Sequence, residues 1–106
     1  MVKQGDIIEV NFEPSVGHEE RKTRPALVIS SNSYNKYCKG FAIVCPISHA
    51  NDFFLNIDLP DEIHTTGKVL CAHLRYFDIE ARGYKYIESV PKDYMSYIEK
   101  IIRDIL

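Results

Sequence analysis

The chain is predicted to fold as a small, mainly β domain closed by a single C-terminal helix. Short β-rich runs separated by turn formers fill the stretch from Asp6 to Ser89, and one apolar stripe at helical spacing follows Pro91. At 106 residues the chain has room for one core and not for two, so 1–106 is expected to be one domain. Several short strands followed by a terminal amphipathic helix suggest a twisted β-barrel or sheet with the helix as its cap.

The elements follow in order. Asp6–Phe12 (DIIEVNF) alternates as a half-buried strand does, although Ile7 and Ile8 side by side break the period. Glu13–Thr23 holds Pro14 and Gly17 without an apolar period and is expected to be a loop. Pro25–Ser30 (PALVIS) is β-rich, and Ser31–Gly40 is polar with turn formers. Phe41–Ile47 (FAIVCPI) is a second apolar run of buried-strand type, ending at Ser48. Phe53–Leu59 (FFLNIDL) alternates from Phe54, and Pro60–Gly67 is a turn region. Lys68–Cys71 starts another strand, which His73–Phe77 either continues or replaces. Ile79–Gly83 fits one helical turn closed by Gly83, and Tyr84–Ser89 returns to extended character. Beyond it, Tyr94, Tyr97, Ile98, Ile101, Ile102 and Ile105 form the helical stripe. Pro91 suits the first helical position, where its missing N–H would have no partner anyway.

Composition excludes several classes. Apolar and charged fractions are those of an ordinary globular domain, not of a disordered or fibrous one. No apolar run reaches the length of a membrane span, and the start MVKQGDIIEV lacks a signal peptide's hydrophobic region, so a cytoplasmic protein is expected. Cys38, Cys45 and Cys71 are odd in number and outside any CxxC pattern, which fits reduced thiols. Cys45-x3-His49 and Cys71-x-His73 would supply two cysteines and two histidines, but the spacing matches no usual zinc motif, and no metal or cofactor is expected. With 13 basic and 15 acidic residues the formal net charge is −2, so any nucleic-acid binding must rest on a local basic patch.

The densest chemistry lies in Gly17–Ser30 (GHEERKTRPALVIS). A charged loop runs into an Arg-Pro step and then into an apolar strand, which puts Arg24 at the strand mouth near His18, Glu19, Glu20, Arg21 and Lys22. A permanently charged guanidinium beside titratable groups is what an anion-binding or phosphate-cleaving site requires. Residue type alone also allows Arg24 to be a solvated surface charge and His18 an exposed loop histidine.

Four blocks then carry a resemblance: QGDIIEVNFEPSVGHEE, TRPALVIS with the following YNK, VCPIS, and TTGKVLCAHLRYFDIEARG. In this order and spacing the sequence resembles the MazF/PemK family of toxins from bacterial toxin–antitoxin pairs, and the GHE, TTG and D-x-x-ARG details are closest to its PemK/Kid branch. The resemblance implies an SH3-like β-barrel with helical additions, acting as a homodimer. It also implies metal-independent, sequence-selective cleavage of single-stranded RNA, chiefly mRNA, with a cognate antitoxin laid over the same surface.

Carried over residue by residue, Arg24 falls on the arginine of the x-R-P motif, the position most often given to catalysis. Ser48 falls where the family usually has threonine, and its hydroxyl can still donate to a phosphoryl oxygen. His18 falls on the histidine of the PemK-type loop, where Glu19 and Glu20 would favour its protonated form. Arg75 takes a basic position of the family's Q-x-[RK] segment; Arg82, and less so Lys85, would extend the patch, with a solvated face as the alternative. His73 is a second candidate proton handler. Phe53, Tyr76 and Tyr34 are candidates to stack on splayed bases, or else to serve as core or interface. The PemK branch has an arginine and a catalytic aspartate where this chain has Leu70 and Ala72, so that branch's mechanism does not run here unchanged. If Val69–Arg75 is one strand, His73 points away from Ala72's face. Two rival expectations share the fold: a gyrase-type poison that binds a protein target without cutting, and a degenerate member that only binds antitoxin.

Overall fold

The computed structural model describes residues 1–12 and 23–106, and over these the expected β-rich body and terminal helix are both present. The strands are β1 (Asp6–Asn11), β2 (Thr23–Val28), β3 (Phe41–Ser48), β4 (Asn56–Asp58), β5 (Lys68–Leu70), β6 (Arg75–Asp78) and β7 (Lys85–Ser89). Among the described residues three helices join them: α1 (Asn32–Tyr37), α2 (Ile79–Arg82) and α3 (Lys92–Ile105). The strands form one antiparallel sheet in the order β4-β5-β3-β2-β1-β7, with β6 also paired to β3. The sheet is open and barrel-like.

Both faces of this sheet are covered, and the alternation of β3 shows how. Cys45 and Ile47 join Ile7, Leu27, Val69 and Cys71 on one face, where Met95, Ile98 and Ile102 of α3 pack against them. Ala42 and Val44 turn the other way and meet Ile8, Val10, Ala26, Val28, Phe77 and Ile79. The adjacent Ile7 and Ile8 are therefore both fully buried, one in each cluster, and the β1–β7 register shifts between them. A strand buried on both faces has no reason to alternate.

Several boundaries differ from expectation, and one that the sequence left open is settled. Ser31–Gly40 is not merely a turn region: it holds α1, whose Tyr34 N–H is capped by the Ser31 hydroxyl. Its polarity conceals a buried Asn35, whose side-chain amide donates to the Val2 and Ser30 carbonyls while its oxygen accepts from the Ser30 hydroxyl. Phe53 and Phe54 precede β4 instead of opening it. Val69–Arg75 is not continuous, because a turn in which the His73 N–H donates to the Leu70 carbonyl separates β5 from β6. Pro91 sits one position earlier than expected, at the N-cap of α3.

The single helical turn was legible: the Asp78 carboxylate accepts from the Ala81 N–H and Gly83 closes α2. On α3, Tyr97 and Ile105 belong to the apolar stripe yet remain exposed at 53% and 41%. No helix among the described residues is long and apolar enough to cross a membrane.

Ile98 carries the helix-to-sheet contact at 0% exposure, so Ile98→Ala should lower the unfolding free energy by about 2–5 kcal/mol. Urea denaturation would measure this, and a loss below about 1 kcal/mol would show that α3 adds little to the core.

Candidate functional site

The register of the sheet assembles the site. Val28 pairs with Val44, Leu27 with Cys45 and Ala26 with Pro46, where the β2–β3 ladder ends; Arg24 and Ser48 each lie two residues beyond it, and strand alternation keeps both on the face of Ala26 and Pro46. Arg24 pairs with Val10 of β1, Ser48 with Lys68 of β5, and Lys68 with Asp58 of β4. Directly opposed residues of antiparallel strands present their side chains on the same face. Ser48, Lys68 and Asp58 thus form one row across β3, β5 and β4, and Val10 and Arg24 extend the same face onto β1 and β2.

Arg24 is exposed and Ser48 half-buried, so the guanidinium end of this face is open to solvent. Lys68 was not among the residues singled out from the sequence. Its Nζ lies 2.8 Å from Asp58 Oδ1 and 3.2 Å from Asp52 Oδ1. These hydrogen bonds, Asp58 first, raise its pKa and keep it charged. Alternation around the buried Val69 puts Lys68 and Leu70 on a common face, but only the pairing with Ser48 shows which face that is.

Arg75 shares this face from β6, paired with Val44, four residues along β3 from Ser48. Its guanidinium stands 5.6 Å from the Phe12 ring centroid and 5.4 Å from that of Phe77. Arg82 covers Phe77 at 4.1 Å, and its Nη1 donates to the Asn11 carbonyl at 2.8 Å. Phe77 is thereby held near two guanidiniums, an arrangement stabilised by the ring quadrupole.

A second loop frames the far side of Ser48. Glu88 of β7 accepts hydrogen bonds from the His64 and Thr65 N–H groups and from the Thr65 hydroxyl. The Thr65 hydroxyl bond, together with the backbone N–H donors, lowers the Glu88 pKa. At the end of that loop, Gly67 has φ +120°, and a Cβ there would lie 3.1 Å from the Ser48 carbonyl oxygen. The glycine of the TTG block is therefore required by close backbone approach as well as by its left-handed conformation. His49, next to Ser48, has its Nε2 3.3 Å from the Thr66 hydroxyl. His64 joins the loop through its backbone N–H.

The remaining candidates divide. His73 is exposed and follows the β5–β6 turn. Tyr76 lies on the opposite sheet face from Arg75, stacked on Phe41 at 4.9 Å with Tyr34 edge-on at 6.4 Å. Phe53 packs on Phe54 at 5.0 Å in the loop before β4. Lys85 is exposed on β7. His18, Glu19 and Glu20 lie outside the described residues. Cys45 and Cys71 are both buried, and burial pushes their thiols up to about 12 and about 11 respectively. Among the described residues, no group of three or more His, Cys, Asp or Glu is placed to hold a metal ion.

The Glu88 carboxylate stabilises the fold above its unfolded pKa of about 4.3, and that contribution is lost as pH falls through its lowered folded value. Wild type should therefore unfold at a higher temperature than Glu88→Gln at neutral pH, with the gap narrowing below about pH 4. A pH-independent gap would assign the difference to shape and not to charge.

Comparison with known proteins agrees with this fold. Residues 3–106 match the family of PemK-like, MazF-like toxins of type II toxin–antitoxin systems. The chain is similar to the endoribonuclease PemK of Escherichia coli, at 30% identity over 92% of this chain and 76% of PemK. It is also similar to the endoribonuclease toxin ChpB of Escherichia coli strain K12, at 35% identity over 80% of this chain and 77% of ChpB. Among solved structures, MazF from Deinococcus radiodurans superposes with a TM-score of 0.82 at 30% identity, covering 98% of this chain and 94% of that one. A MazE–MazF complex from the same organism gives 0.84, with the same identity and coverage.

Proposed function

Because this chain belongs to the PemK-like, MazF-like toxins of type II toxin–antitoxin systems, we propose that it is a toxin that acts as an endoribonuclease on single-stranded RNA, chiefly mRNA. The observation that carries the mechanism is that Arg24 and Ser48 share one sheet face on the neighbouring strands β2 and β3. Cleavage proceeds without metal through the RNA's own 2′-hydroxyl. Its oxygen bonds to the adjacent phosphorus as it loses its proton. The bond from phosphorus to the 5′-oxygen breaks, and that oxygen takes up a proton. The products are a 2′,3′-cyclic phosphate and a 5′-hydroxyl.

Negative charge on the phosphoryl oxygens grows in the transition state. The fixed fork of Arg24 suits two of those oxygens, and the Ser48 hydroxyl supplies a further donor. Arg75, oriented by the Phe12 and Phe77 rings, takes a flanking phosphate, and Arg82 reinforces that orientation. His18 and His73 are the proton handlers in this scheme, since Ala72 has no ionisable group. Phe53, more than half exposed, is available to an unstacked base beyond the row, whereas Tyr76 lies on the other face of the sheet and takes no part. Glu19 and Glu20 are assigned to RNA binding in the same scheme.

The likeness to a toxin solved with MazE supports a cognate antitoxin as a protein partner. The protein works in the cytoplasm as a homodimer. An apolar groove of about 540 Å³ between Phe54, Leu55 and Ile57 and the Tyr97, Ile101 and Ile105 side chains of α3 offers the dimer a seam.

Purified protein incubated with long single-stranded RNA in EDTA should make discrete cuts with 2′,3′-cyclic ends. Arg24→Ala should slow them by at least about 100- to 1,000-fold, Arg24→Lys should restore only part, and Ser48→Ala should cost less than Arg24→Ala. Uncut RNA with antitoxin binding intact would refute the nuclease and point to a degenerate member that only binds antitoxin, with Ala72 the first residue to replace by aspartate.

A further inference from the structure

Lys68 occupies the place in the row that the catalytic scheme leaves without a role. It is paired with Ser48 across the β3–β5 edge, while Arg24 lies on β2, the strand along the other edge of β3, so that strands bearing a cation flank the hydroxyl on both sides. On β5 the only other side chain sharing that face is Leu70, which is apolar. An extended RNA strand whose scissile phosphate rests on Arg24 and Ser48 brings a neighbouring phosphate past Lys68.

We propose that Lys68 is a second phosphate-binding residue, a positioning cation for the nucleotide next to the cleaved bond, and that Asp58 and Asp52 hold it ready. This rests on the endoribonuclease reading above. An unpartnered lysine on a sheet surface extends into water, whereas this one keeps its side chain at 17% exposure with its ammonium tied to two carboxylates. The ammonium has three donors; the two aspartates take two and leave one. Both carboxylates are themselves on the surface, Asp52 fully and Asp58 at 80% exposure, where such pairs contribute little. A phosphate can therefore displace either one at small cost. The same carboxylates oppose a polyanion, so they tune the site: they orient the lysine and weaken its hold on RNA, which favours release of cut strands.

The charges make opposite predictions for the two kinds of residue. The probe is a fluorescent, uncleavable 2′-O-methyl RNA of mixed sequence, titrated at several KCl concentrations with variants shown by thermal unfolding to be folded. Lys68→Met should reduce the steepness of log Kd against log salt by about 0.7, the contribution of one phosphate on a single strand, and Lys68→Arg should keep it. Asp52→Asn, at a fully exposed position where folding is not at stake, should tighten binding by at least about twofold. In cleavage assays Lys68→Met should raise KM more than it lowers kcat.

An unchanged salt slope in Lys68→Met, or Asp52→Asn that binds no better, would overturn the proposal while leaving Arg24-dependent cleavage in place. If wild-type protein neither binds nor cuts RNA, the endoribonuclease reading falls and this assignment falls with it.

Discussion

Strand β3 is the constraint on which the rest of this molecule depends. It pairs with β2 along one edge and with both β5 and β6 along the other. Its register therefore decides, at once, which residues of three other strands share each face. A slip of one residue would send Cys45 and Ile47 toward the cluster of Ala42 and Val44 and turn Ser48 away from Arg24. The two apolar clusters prevent that slip, because each needs its own half of the β3 side chains. Core packing and the geometry of the site are thus the same fact seen from two sides of one strand.

This also explains how a chain with a formal net charge of −2 can present a site for a polyanion. The attraction is local: Arg24, Lys68 and Arg75 lie on one face, while α3 carries pairs such as Lys100 with Asp104 and Arg103 with Glu99 on the other side of the sheet. Those helix pairs neutralise themselves at one-turn spacing and add little at long range. The cations on the sheet face are restrained differently. Arg75 leans on aromatic rings and Lys68 on carboxylates, so each arrives at its position with less freedom left to lose on binding.

The support behind Ser48 is just as specific. Gly67 lets one backbone approach another, and Glu88 ties the loop that precedes it to β7, at the opposite end of the sheet order. The loop therefore connects the two edges of an open sheet and gives it the character of a barrel. A site built on strands and braced in this way holds its donors in place before substrate arrives, which is what electrostatic catalysis requires.

Much of this was legible in the sequence. The short β-rich runs, the Pro91 helix start, the single turn ended by Gly83 and the Arg-Pro strand entry all express local preferences of backbone and side chain, which act over a few residues and survive in any context. Motif order was enough to identify the family and to single out Arg24, Ser48 and Arg75. Three features were hidden for a common reason: they depend on partners far away in the chain. Helix α1 looked like a turn because Asn35 is polar, and only the Val2 and Ser30 carbonyls make its burial possible. Tyr76 was a candidate to stack on RNA bases, yet the pleat sends it to the face opposite Arg75. Lys68 carried no motif, since its meaning comes from Ser48 and Asp58 on adjoining strands. Local conformational preference can be read along a chain, but cross-strand register is set by the packing of both faces together, and no stretch of sequence contains that information alone.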